Sequence, residues 1–264
     1  MRHYNLIDTN KIEIDKFYKQ ILSSSLLTNY FNHISFNEAK AVYGDSALVF
    51  LIKNDDFYKL YFIASNISSL EEVFKCIISS DYKIVIEVIT KNMLNENLHN
   101  ILNKYFSFYS VYERLRINTN DLKSHFVAKI ENIDYATISD LASVESLLLD
   151  NFNKYYDNLP TRDKLKDYIS NKQILLKREA SQIKALLVFT LQNKVSHFNY
   201  LLNLNVNSTF AINLTEQYYL LMKEKGIKQI YLWVDITHNI RVKNMHLKYN
   251  YKSDNTFNYI FYKE

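Results

Sequence analysis

Apolar and polar positions change period along this chain in a regular way, from 3.6 residues to 2 and back, and that alternation predicts its elements. Residues 13–32 place Ile14, Phe17, Tyr18, Ile21 and Leu22 at helical spacing, which predicts one amphipathic helix or two short ones. Two aromatic-rich apolar runs at 48–52 and 58–63 flank Asn54, Asp55 and Asp56, which predicts a β-hairpin. A helix is expected from Ser69, with Glu72 completing a capping box. A strand at 82–90, a helix at 94–104 and a strand within FSFYSVYERLRI follow. After about residue 124 the order recurs. Helices are expected at 137–149 and 161–169, the second starting at the only proline, Pro160, with Thr161 in the cap region. A hairpin turns around 179–182, a strand starts at Val195, and a helix closed by Gly226 leads to a strand, a helix and a terminal strand, TFNYIFYK.

The repeated order of elements predicts a duplicated architecture with domains at 1–120 and 125–264 and a join near 118–124. The alternative is a single α+β domain with one sheet. A chain of 264 residues that is 48% hydrophobic can build a core for either. Only two glycines and one proline punctuate it, so Asn and Asp are expected to fill turn positions that other chains give to Gly. The single cysteine, Cys76, excludes an intrachain disulfide and a Cys-based zinc cluster, and its place in EEVFKCII suits a small buried hydrophobe.

The formal charge of +4 is spread without a basic block, so nucleic acid is an unlikely partner, while a modest positive excess suits an anionic cofactor. No apolar run of membrane length and no secretory leader are visible, so a soluble, cytoplasmic protein is expected. With Gly44 and Gly226 as the only glycines, Gly-x-Gly-x-x-Gly, P-loop and Gly-x-Ser-x-Gly motifs are absent. His238 and His246 lack the spacing of a helical metal pair, and no metal site is expected. The 22 tyrosines follow the apolar faces of the elements and are read as packing.

The densest chemical signal is residues 195–251. There Leu232, Trp233 and Val234 form a strand, Asn239 opens the next helix, His246 lies within it, and KYNY places Asn250 and Tyr251 at its end. This stretch resembles the acyl-CoA-binding half of the GNAT acetyltransferase superfamily, and residues 125–264 resemble one GNAT domain. The resemblance implies an α/β fold class. Each tandem GNAT-like domain is a mixed, mostly antiparallel sheet flanked by helices, the N-terminal one divergent. In the family a Gly-containing turn at a helix start holds the CoA diphosphate on backbone N–H groups. The matching positions here are Ser208, Thr209, Phe210, Ala211, Ile212 and Asn213, without the family's basic residue or glycines.

The activity implied is N-acyl transfer from acetyl-CoA or another acyl-CoA to a small primary amine. His246 stands where the family's proton-donating tyrosine does and is the implied acid toward the leaving thiolate, although its helical register also fits a core histidine. A strand N–H near Leu204 would polarise the thioester carbonyl. His197 is a candidate base and Tyr200 a candidate substrate contact, on opposite strand faces unless a bulge intervenes. Asn239 is a candidate cofactor contact or simply an N-cap, and Arg241 and Lys243 are candidates for the 3'-phosphate of CoA. The N-terminal counterpart of the loop, SNISSLEE, is expected to reject a diphosphate because Glu71 and Glu72 fall in its first helical turn. Two rival readings remain: an inactive scaffold that kept the fold, and an aminoacyl-tRNA-dependent transferase with tandem GNAT domains.

Overall fold

The structure, a computed structural model, describes residues 6–21, 26–30, 38–123, 133–204 and 209–264. In chain order the first repeat contains β1 (Ile7–Asn10), α1 (Lys11–Ile21), β2 (Leu27–Thr28), β3 (Glu38–Tyr43), β4 (Ala47–Asn54), β5 (Phe57–Ala64), α2 (Ile67–Ile78), β6 (Ile84–Lys91), α3 (Glu96–Tyr105) and β7 (Ser107–Asn118). The second contains β8 (Ile133–Tyr135), α4 (Leu141–Asn151), α5 (Arg162–Ser170), β9 (Ile174–Glu179), β10 (Gln182–Gln192), β11 (Val195–Asn203), α6 (Thr209–Glu224), β12 (Gln229–Asp235), α7 (Ile240–Lys248) and β13 (Lys252–Lys263). Each repeat thus has three antiparallel strands, a helix, a parallel strand, a helix and a last strand. Among the described residues no helix is long and apolar enough to cross a membrane.

The chain divides into two compact units, residues 1–111 with 256–264, and residues 112–255. The boundary expected at 120–125 is therefore redrawn, and hydrogen bonding gives the reason. The strand that pairs with β6 is the end of β13, from Thr256↔Lys91 to Lys263↔Ile84. The strand that pairs with β12 is β7, from Gln229↔Asn118 to Asp235↔Tyr112. Each repeat's last strand completes the other repeat's sheet.

In the first unit β3, β4 and β5 form the antiparallel meander, and β5 meets β6 in parallel only at Tyr58↔Ile84 and Lys59↔Val85. Leu70, Val73, Phe74 and Ile77 of α2 recur at helical spacing and bury against Val49, Leu51, Phe62 and Ile86 of the sheet. Cys76 packs at the margin of this core. Strand β3 (EAKAVY) has no clear period-2 signal in sequence because its buried positions are mostly small alanines. The cap of α2 is Asn66, whose side chain accepts from Ser69 N–H, and not Ser69 itself. The helix therefore starts three residues earlier than a Ser69 cap implies, which places Glu71 and Glu72 beyond its first turn.

In the second unit β8, β9, β10 and β11 are antiparallel, and β11 meets β12 in parallel. One face carries α6 and α7, with Leu214, Tyr218, Met222 and Tyr249 packed on Leu187, Phe189, Phe198, Ile230 and Leu232. The other carries α4 and α5, with Val144, Leu148, Leu165 and Ile169 on Ile174, Leu176, Leu186 and Val188. Gly226 at φ +62° ends α6, with Gly226 N–H bonding Lys223 O and Ile227 N–H bonding Met222 O. Asn250, φ 76°, ends α7 in the same way, through Asn250 N–H to Leu247 O and Tyr251 N–H to His246 O. Asn92, Asn158, Asn193, Asn255 and Asp55 take the left-handed conformation elsewhere, as expected of a chain short of glycine.

Candidate active site

The second unit's site starts from a break in strand pairing. Strands β11 and β12 pair only from Val195↔Gln229 to Phe198↔Leu232 and then diverge. The divergence begins at a bulge: β10 registers Phe189 with Phe198 but Val188 with Tyr200, so Asn199 is the extra residue. Because of it, His197 and Tyr200 fall on the same face, the one toward α4 and α5, while Phe198 faces α6 and α7.

Beyond the bulge β11 keeps β10 on one edge and loses β12 on the other. Leu204 N–H donates to Lys184 O at 2.9 Å, so it is spent within the β10 pairing and is not the N–H that meets a thioester. Counting back by the two-residue period of an antiparallel ladder, the Leu201 N–H points to the opposite edge, where β12 has diverged.

Helix α6 begins at Thr209, shortly after the end of β11 at Asn203 in the chain. Ser208 lies outside the described residues. Phe210 and Ala211, the second and third residues of the helix, supply N–H groups that have no acceptor inside it. Asn213 is the fifth residue, so its N–H is used by the helix and it drops out of the set of donors. The Phe210 ring packs inward, with the ammonium of Lys177 5.9 Å from its centroid; Lys177 is 8% exposed on β9. That brings a cation to the first turn from a distant strand.

His246 is 1% exposed, enclosed by the rings of Phe198 at 5.4 Å and Tyr251 at 5.3 Å, with the Tyr219 hydroxyl 3.5 Å from Nδ1. Burial pushes its pKa down to about 4. Such burial favours the neutral imidazole and makes it part of the core between the sheet and α7. Burial also lowers His197 to about 4, and its ring stacks on Tyr231 at 4.4 Å and 9°. The Tyr200 hydroxyl donates toward the Asp157 and Asn158 carbonyls at 3.0 and 2.8 Å, so it pins the α4–α5 loop. Asn239 occupies the cap position of α7 without a side-chain capping bond; Asp235 makes the turn there, accepting from Thr237 and His238 N–H. Lys243 pairs with buried Glu113 at 2.5 Å, which leaves Arg241 as the exposed cation of that helix start.

On the His197 face, neighbouring strands add residues that the sequence did not single out. His197 registers with Tyr231 and Tyr231 with Arg116, and Trp233 registers with Arg114. Arg114 lies over Trp233 at 5.5 Å, and Asp254 of β13 meets both arginines. Tyr112 donates to Asp157 at 2.7 Å. Residues 112–116 were expected in the other domain, and only the strand exchange brings them here.

In the first unit the equivalent opening between β5 and β6 is filled by the chain itself. Strand β4 takes one edge of β5 along its whole length, so β2, registered Leu27↔Ala64 and Thr28↔Ile63, must take the edge that β6 leaves. Next to it Asn29, 2% exposed, donates its amide to Leu60 O and Glu87 O at 3.0 Å each and accepts Phe62 N–H at 2.7 Å. One side chain bridges the diverging strands and uses the backbone groups that a ligand there would need.

No protein-family model and no curated protein matches the sequence. Solved structures do resemble the fold. The GCN5-related N-acetyltransferase from Sphaerobacter thermophilus superposes with a TM-score of 0.61 at 9% identity, over 88% of this chain and 82% of that one. A GNAT-family acetyltransferase from Colwellia psychrerythraea gives 0.53 at 13% identity, over 98% and 99%. A tandem GNAT protein from the clavulanic acid biosynthesis pathway gives 0.58 at 6%, over 99% and 98%. What is shared at such identities is the architecture: this chain has the GNAT fold, built from two repeats.

Proposed function

We propose that the second unit transfers an acyl group, acetyl in the first instance, from an acyl-CoA to a primary amine of a small molecule. The observation that carries this reading is the divergence of β11 from β12, with a helix, α6, following β11 in the chain. A thioester carrying amides along an extended arm fits a strand edge that has lost its partner, and a diphosphate fits a helix N-terminus. Phe210 and Ala211 would hold the diphosphate on their N–H groups, with Lys177 adding positive charge at the same turn.

In this reading the Leu201 N–H donates to the thioester carbonyl oxygen and stabilises the charge that grows there. The amine nitrogen attacks the carbonyl carbon; the C–N bond forms, the C–S bond breaks, and the tetrahedral intermediate collapses to amide and thiolate. His197 is neutral at pH 7 and too weak a base to hold the amine proton, so it orients the nitrogen and the proton passes to water. The thiolate takes a proton from solvent, and His246 stays out of the chemistry.

Thermal unfolding with acetyl-CoA tests this. At about 100 times its dissociation constant a ligand adds roughly 2.7 kcal/mol to stability, so a rise in Tm is expected. An unchanged Tm at millimolar acetyl-CoA supports the scaffold reading.

A further inference from the structure

We propose that the acceptor is a small amine that also carries an anionic group, and that Arg116 binds that group; this rests on the acyltransferase reading for the word acceptor, but its binding half stands alone. In the row His197, Tyr231 and Arg116 the residues sit directly opposite one another on β11, β12 and β7, so their side chains share one face. Neighbouring strands lie about 4.8 Å apart, which puts the Cα atoms of His197 and Arg116 about 10 Å from each other. The stacked Tyr231 ring lies between them.

On this face Asp157 accepts from Tyr112 and Asp235 from the turn at Thr237 and His238, which leaves Asp254 to serve two arginines. Arg114 and Arg116 share the single carboxylate of Asp254, at 2.8 and 2.6 Å. Arg114 is settled, with Nε donating to that carboxylate at 2.8 Å and its guanidinium over Trp233. Arg116 is not. Its Nε lies close to Asp254 Oδ2 without the angle of a hydrogen bond, and Arg116 donates no hydrogen bond to any described residue. Its side chain is 37% exposed. A planar guanidinium whose terminal N–H groups are unspent is matched to a carboxylate or a phosphate, which it can grip with two parallel bonds. An amine near His197 and an anion at Arg116 fit a compact molecule with only a few bonds between the two groups.

The test uses the full chain and four probes: β-alanine and phosphoethanolamine, against the neutral β-alaninamide and ethanolamine. Calorimetric binding without any acyl donor should favour the anionic member of at least one pair by tenfold or more, and the favoured pair tells carboxylate from phosphate. Arg116→Gln should erase that preference while leaving the acetyl-CoA dissociation constant unchanged, and Arg116→Lys should keep part of it. Asp254→Asn removes the competing carboxylate and should tighten the anionic probe, a gain that an unfolded variant does not give. Equal binding within both pairs, no binding of any probe, or a preference that survives Arg116→Gln overturns the proposal. Preference without acetyl-CoA binding overturns the acyltransferase reading and leaves the anion site in place.

Discussion

Burial decides what the two histidines of the second unit can do. For His246 the folded pKa of about 4 lies below the ordinary value of 6.5, so between these values the unfolded chain binds more protons than the folded one. Its contribution to stability is therefore complete above about pH 6.5 and is lost as pH falls toward 4. The difference of 2.5 units corresponds to about 3 kcal/mol at most. His246→Phe removes this proton linkage and keeps the aromatic packing, so urea unfolding of the variant should weaken less between pH 6.5 and 4 than that of the parent, with turnover at pH 7.5 kept. An unchanged acid slope contradicts the core assignment. The helical spacing of Val242, Met245, His246 and Tyr249 offered the core position as the alternative to the acid role that the family resemblance implied, since periodicity reports burial. Asn250 was legible for a different reason, because few residues tolerate the left-handed conformation that ends a helix. Arg114 and Arg116 were not legible as site residues: the contacts that define them come from β12 and from Asp254, far away in sequence.

At the scale of elements, one motif serves two ends. In both repeats a strand meets its parallel neighbour for a few residues and then leaves it. In the second, β11 has no described partner on that edge beyond Phe198; in the first, β2 and Asn29 close it. The Asn29 amide faces two carbonyl oxygens, so Asn29→Asp sets a carboxylate against them and strands both acceptors. A buried group left without its partner costs about 1–3 kcal/mol, and a charged one costs more. Chemical unfolding should show Asn29→Asp losing about 3 kcal/mol or more at pH 7, and losing less at pH 4, where the carboxyl protonates and can donate again. A neutral effect contradicts the plug. Hairpins and amphipathic helices were readable from local period and turn chemistry. The plug was not, because its bonds span 31 to 58 residues. Nor was the place of Glu71: it binds Lys104 and Tyr105 and lies past the first turn of α2, so the repulsion expected of it at the helix start does not apply.

For the whole molecule, element order revealed the duplication, but it could not reveal the exchange of last strands. A terminal strand pairs equally well by local criteria with either repeat, and only long-range register shows that β13 completes the first sheet and β7 the second. The two repeats differ at their openings: β2 and Asn29 take up the edge that β6 leaves, whereas no described strand takes the edge of β11 that β12 leaves beyond Phe198. The most direct measurement is the calorimetric stoichiometry of acetyl-CoA on the full chain. One molecule per chain is predicted, with binding weakened strongly by Ala211→Val, which crowds the first turn of α6 with a branched side chain. Two molecules per chain, none at all, or a single site indifferent to Ala211→Val would contradict it.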